Sequence, residues 1–108
     1  MEMLKKGYKN MDEEDIPIYP FGLDDFERFS FESDDLFYRR SIIMIEYAHK
    51  NGLEIITLFK IIVDSEKLYL NLPKDVWVNT LEKAITHFEL VEAYEMCVEA
   101  QKVLDLIS

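Results

Sequence analysis

Cysteine is the first scarcity: the 108 residues hold one, Cys97. No disulfide can form within the chain. The opening stretch MEMLKKGYKN carries no signal-like apolar run, so a reducing cytoplasm is the expected setting. Glycine and proline are sparse, three of each, and the scattered glycines exclude a Gly-rich phosphate loop. Positive charge is short as well. Twelve Lys and Arg stand against 22 Asp and Glu, for a net charge of −10, and Lys5, Lys6 and Lys9 form the one local basic cluster. Such a balance argues against direct contact with a nucleic-acid backbone or an anionic membrane, and points to a basic protein as partner. Long hydrophobic runs are missing too. The longest, Leu53 to Val63, has 11 residues and contains Glu54 and Lys60, too short and too charged to cross a bilayer.

What remains is the composition of a folded globule, 49% hydrophobic and 31% charged, long enough for one domain over residues 1–108 with its own core. The charge is concentrated. Between Asp12 and Asp35 lie ten acids against Arg28 alone, interleaved with Tyr19, Phe21, Phe26, Phe29 and Phe31. Pro17, Pro20 and Gly22 disfavour long regular elements here, although Asp24 to Phe29 could form a helical turn. Residues 1–35 therefore read as an irregular acidic and aromatic segment, and 36–108 as the compact core. Two roles are open for the segment. Its aromatics can fold back onto the domain with the acids in water. Alternatively, Asp24, Asp25, Glu27, Glu32, Asp34 and Asp35 can stand in for phosphates against Lys and Arg of a partner.

The core reads as α+β. Ser33 or Asp34 suits a helix cap, and Leu36, Phe37, Arg40, Ile43, Met44, Tyr47 and Ala48 recur at helical period up to the stop at Asn51-Gly52. The β-branched run at 54–63, a turn at Asp64 to Lys67 and the alternation of 67–72 predict a β-hairpin. The rival is an internal repeat, since residues 52–64 resemble 93–105; that would give two tandem helical hairpins and an all-α protein. A lone pair of strands is marginal, so these must pack on helices or pair with another chain, as in a homodimer.

The C-terminal third reads as a helical hairpin. Trp77, Leu81, Ala84, Ile85 and Phe88 share one face, while Lys74, Thr80, Lys83 and His87 fall on the watered one. Pro73 suits the first helical turn. A second stripe runs through Tyr94, Cys97, Ala100 or Gln101, Leu104 and Ile107, with a break at Leu90 to Glu92. The spacing from Leu81 and Ile85 to Tyr94, Glu95 and Cys97 resembles the UVR motif, a helical hairpin of excision-repair subunits and protease adaptors. Tyr94 and Glu95 match its aromatic–Glu pair and Cys97 its small position, while Gln101 and Lys102 stand where that family has Arg-Asp. The resemblance covers about a quarter of the chain and implies docking on another protein through Tyr94, Glu95 and Cys97.

No catalytic motif joins Cys97, His49 and His87, so an enzyme is not expected. Glu46 and His49, one helical turn apart, make one Glu-x-x-His element where a bundle di-iron site needs two, and Glu92, Glu95 and Glu99 read as a solvated edge; neither a metal nor another cofactor is expected. The first expectation is a non-enzymatic protein-binding domain, an acidic antagonist of a nucleic-acid-handling protein, similar in composition to phage anti-defence and immunity proteins. The second is an adaptor docking through the UVR-like hairpin.

Overall fold

The structure, a computed structural model, describes residues 4–5, 7, 11–20 and 31–108. The anticipated turn over Asp24 to Phe29 lies outside these. The fold is α+β. Strand β1 is Leu4–Lys5, helix α1 Phe31–Lys50, β2 Ile55–Val63, β3 Glu66–Pro73, α2 Trp77–Leu90 and α3 Tyr94–Ile107. The strands form one antiparallel sheet in the order β1-β3-β2, with α1 against β2, α2 and α3.

The hairpin closes through Asp64 and Ser65, both at positive φ (49° and 67°), between paired Val63 and Glu66. Two positive φ values match the twist of the flanking strands, as tight hairpin turns require. The register shifts between Thr57 and Phe59, which leaves Leu58 as an extra residue. Strand pairing over 55–63 removes the all-α alternative. The segments 52–64 and 93–105 nonetheless begin alike, because each follows a helix end closed in the same way. After α1, Gly52 N–H donates to His49 and Leu53 N–H to Ala48; after α2, Glu92 donates to Glu89 and Ala93 to Phe88. These are the paired bonds of a Schellman stop. Gly52 (φ 66°) supplies the left-handed residue in the first, and Glu92 (φ 59°) must do so in the second.

Several expected faces are rotated. On α1 the buried residues include Phe37, Ser41, Ile42, Met44, Ile45 and Ala48, whereas Ile43 and Tyr47 lie outside. On α2, Thr80 is 7% exposed rather than watered. The cause is shared. Ser41 Oγ donates to Phe37 O (2.7 Å) and Thr80 Oγ1 to Val76 O (2.8 Å), so each hydroxyl is satisfied within its own helix and its small side chain serves as core. Pro73 closes β3 opposite Ile55 instead of opening the helix, and a single 3-10 turn, Lys74–Val76, leads into α2. Trp77, fully buried, donates its indole N–H to Leu72 O at 3.0 Å and ties α2 to the sheet.

Residues 11–20 lie on the sheet. Tyr19 N–H donates to Lys60 O (2.8 Å), and Lys60 N–H donates to Pro17 O (3.0 Å). Ile16 and Tyr19 are buried, with Tyr19 edge-on to Phe59. Glu13 clamps this segment through Lys60 Nζ (3.2 Å), Lys67 Nζ (3.1 Å) and Tyr69 OH (3.3 Å). For Tyr19 the folded-back arrangement therefore holds; Phe21, Phe26 and Phe29 lie outside the described residues.

Candidate docking surface

The α2–α3 corner turns one row of side chains outward. Ala100 and Val103 point into the core, and Met96, Cys97, Leu104 and Ile107 are half-buried against it. That orientation leaves the opposite face of α3 in water. Tyr94, expected on the inner stripe, is 61% exposed; Val98, one turn on, is 53% exposed; and Leu90, the last residue of α2, is 79% exposed. The rest of the expected stripe, Cys97, Ala100, Leu104 and Ile107, does face the core; only Tyr94, the first residue of α3, departs from it. Glu89, Glu92, Glu95 and Glu99, each within two residues of Leu90, Tyr94 or Val98 in sequence, are exposed as well, with Glu99 reaching Lys102 at 3.5 Å. Beside Tyr94 an open groove of about 450 Å³ is lined by Arg39 and residues 92–96. Exposed apolar side chains among charged ones suit a protein contact surface.

Cys97 does not join that face. Its Sγ faces Ile85 O at 3.7 Å, and burial, then the Glu89 charge, push the thiol's pKa up. A raised thiol is a poor nucleophile, so Cys97 is a packing residue of the helix pair. Glu95 is exposed, next to Tyr94 in sequence.

The six acids expected to mimic phosphates divide. Asp24, Asp25 and Glu27 lie outside the described residues, as does the side chain of Glu32. Asp34 and Asp35 are only half exposed and face inward. α1 starts at Phe31, ahead of the anticipated cap, which sets both acids in its first turns alongside the end of α2. Asp35 accepts from Arg39 Nε at 2.6 Å and meets His87 Nε2 at 3.2 Å. Burial alone would raise the Asp35 pKa; the hydrogen bonds from Arg39 and His87 outweigh it and hold the carboxyl below its usual range. His87, placed by periodicity on the watered face, has a side chain only 10% exposed, between Tyr38 and Phe88. The Arg39 guanidinium lies 5.3 Å above the Phe88 ring. Asp34 is pushed up by burial, partly opposed by His87, and its Oδ1 is buried with no hydrogen-bond partner. The network fastens α1 to α2 and leaves little of Asp35 for a partner.

Among the described residues, no three His, Cys, Asp or Glu side chains gather as a metal site, and no helix is long and apolar enough to cross a membrane. Glu46 pairs with Lys50 at 3.7 Å, and His49 is exposed at the helix end. Leu90 and Val98 were not legible as surface anchors. The available signal was the run of Glu at 89, 92, 95 and 99, which marks the solvent side of both helices and carries these two residues with it. Compared with known proteins, the chain matches no family model, no curated sequence and no solved structure.

Proposed function

We propose that this chain is a non-enzymatic protein-binding domain that docks through the α2–α3 corner on another protein. The observation that carries the reading is the exposure of Leu90, Tyr94 and Val98, interleaved in sequence with exposed glutamates. Large apolar side chains in water gain when a partner covers them, and a tyrosine anchor is typical of the residues that dominate such contacts. These glutamates and the net charge of −10 select a partner with Lys and Arg around an apolar centre, as on a nucleic-acid-handling protein. The resemblance to the UVR hairpin points to the same corner.

Serine at positions 90, 94 and 98 should leave the fold intact, since exposed positions seldom change stability by more than about 0.5 kcal/mol. Each anchor lost should weaken binding by about 2 kcal/mol, roughly thirtyfold. The test compares proteins captured from lysate by the wild type and by the Leu90→Ser, Tyr94→Ser, Val98→Ser variant. A shared, undiminished set of captured proteins would reject the corner as the contact.

A second reading, an acidic antagonist gripping a basic protein through its N-terminal segment, is favoured by Asp12, Glu14 and Asp15, all exposed on the strap over the sheet. In that case amides at 12, 14, 15, 24, 25 and 27 abolish capture while the serine variant retains it.

A further inference from the structure

An open depression of about 710 Å³ lies between the N-terminal strap and α1, away from the α2–α3 corner, lined by Met11, Asp12, Asp15, Arg40, Met44 and Tyr47. Arg40, Met44 and Tyr47 are spaced i, i+4, i+7, one face of a helix. Asp12 and Asp15 are brought to one side by the 3-10 turn, in which positions i and i+3 eclipse, with Asp15 N–H donating to Asp12 O at 2.9 Å. Glu13 points the other way and pins this turn to the sheet.

Arg40 is unusual in so acidic a chain. Its guanidinium is half-buried and is held by one bond, Nε to Leu58 O at 3.3 Å, the carbonyl of the bulge residue in β2. Among the described residues no carboxylate comes within ion-pair distance of it, although Asp12 and Asp15 line the same depression. A guanidinium carries five N–H donors and stays charged at any physiological pH. One fixed cation and two exposed carboxylates thus face a common space without neutralising each other, beside an aromatic ring and two thioethers.

We propose that this depression binds a small zwitterion of the amino-acid type. The α-carboxylate lies on Arg40, the ammonium between Asp12 and Asp15, and an apolar side chain against Met11, Met44 and Tyr47. A simple anion would meet two carboxylates, and a simple cation would meet Arg40; only a ligand with both charges satisfies the set.

The test is a two-dimensional NMR titration of the full chain with L-methionine, N-acetyl-L-methionine and L-methionine amide, each to about 10 mM. The zwitterion should give saturable shifts at the Arg40 side-chain N–H and at the backbone amides of 12–15 and 44–47. Each analogue, lacking one charge-assisted contact, should bind at least about tenfold more weakly. Arg40→Gln should abolish the shifts, and Asp12→Asn with Asp15→Asn should weaken binding about tenfold. Because Arg40 also supports the bulge, the exposed aspartate pair is the variant that decides if Arg40→Gln misfolds. Absence of a saturable response to L-methionine, equal affinity for the three compounds, or an unchanged affinity in the aspartate variant would overturn the proposal.

Discussion

Asp34→Asn should make the protein more stable at neutral pH. Asp34 Oδ1 is buried without a hydrogen-bond partner, and burial raises the carboxyl's pKa. Leaving a buried polar atom unsatisfied costs about 1–3 kcal/mol. Two effects offset part of this. His87 lies close enough to favour the charge, and the positive end of α1 favours an early acid by about 0.3–1 kcal/mol. The residue is also half exposed, so the charge is partly screened by water. A net penalty of about 1 kcal/mol remains, and the amide removes the charged part of it. In a domain of this size the whole penalty corresponds to about 4–8 °C in Tm, so the variant should gain a part of that. The pH dependence sets the sign. A folded carboxyl with a raised pKa holds its proton more tightly than the unfolded chain does. The penalty is therefore absent below the ordinary value near ~3.9 and grows as pH rises from there through the folded value. Urea unfolding of both proteins at about pH 7 and about pH 3.5 should show the advantage of the variant at the first and its disappearance at the second. A variant less stable at neutral pH, or a difference that does not change with pH, would mean that Asp34 has a charge partner and that the reasoning fails.

Glu92 occupies the left-handed position of the α2 stop without glycine's freedom. Glu92→Gly should stabilise by about 0.5–1 kcal/mol in urea unfolding, and Glu92→Val should destabilise. Glu13 has its carboxyl held below the usual range by hydrogen bonds from Lys67 and then Lys60. Its contribution is present above the ordinary glutamate value near ~4.3 and is lost as pH falls through the lower folded value. Glu13→Gln should speed hydrogen exchange of the Tyr19 and Lys60 amides at neutral pH and remove the acid dependence expected of the wild type.

The elements were largely legible. The β-branched run of 55–63, the Asn51-Gly52 stop and the end of α2 follow from local chemistry that acts over a few residues, and local chemistry is written in consecutive side chains. Faces were harder to read. Ser41 and Thr80 count as polar in a periodicity, yet each is core once its hydroxyl bonds its own helix. Helical spacing sets Tyr94 on the inner stripe with Cys97 and Leu104; as the first residue of α3 it is exposed instead. Asp34, Asp35 and His87 were read as solvated because nothing in the chain announces that the start of α1 lies beside the end of α2, 52 residues later. Tyr94 and Glu95 were identified as surface candidates through a resemblance, while Leu90 and Val98 became visible only with the helix orientation. The Arg40 depression required the strap and α1 to be brought together.

Both margins of the β-hairpin are met at mid-length from within the same chain. β1 lies along β3, and on the far side of β2 the backbone of Lys60 is matched to Pro17 and Tyr19 while Leu58 O is taken by Arg40. Bare strands of this composition are templates on which further copies stack. At Lys60 the strap therefore takes up edge hydrogen-bonding groups that a second copy would otherwise meet. Its fastening combines the Glu13 carboxylate with the two backbone bonds of Lys60 and the buried side chains of Ile16 and Tyr19, so acid that discharges Glu13 loosens the strap on β2 without freeing it.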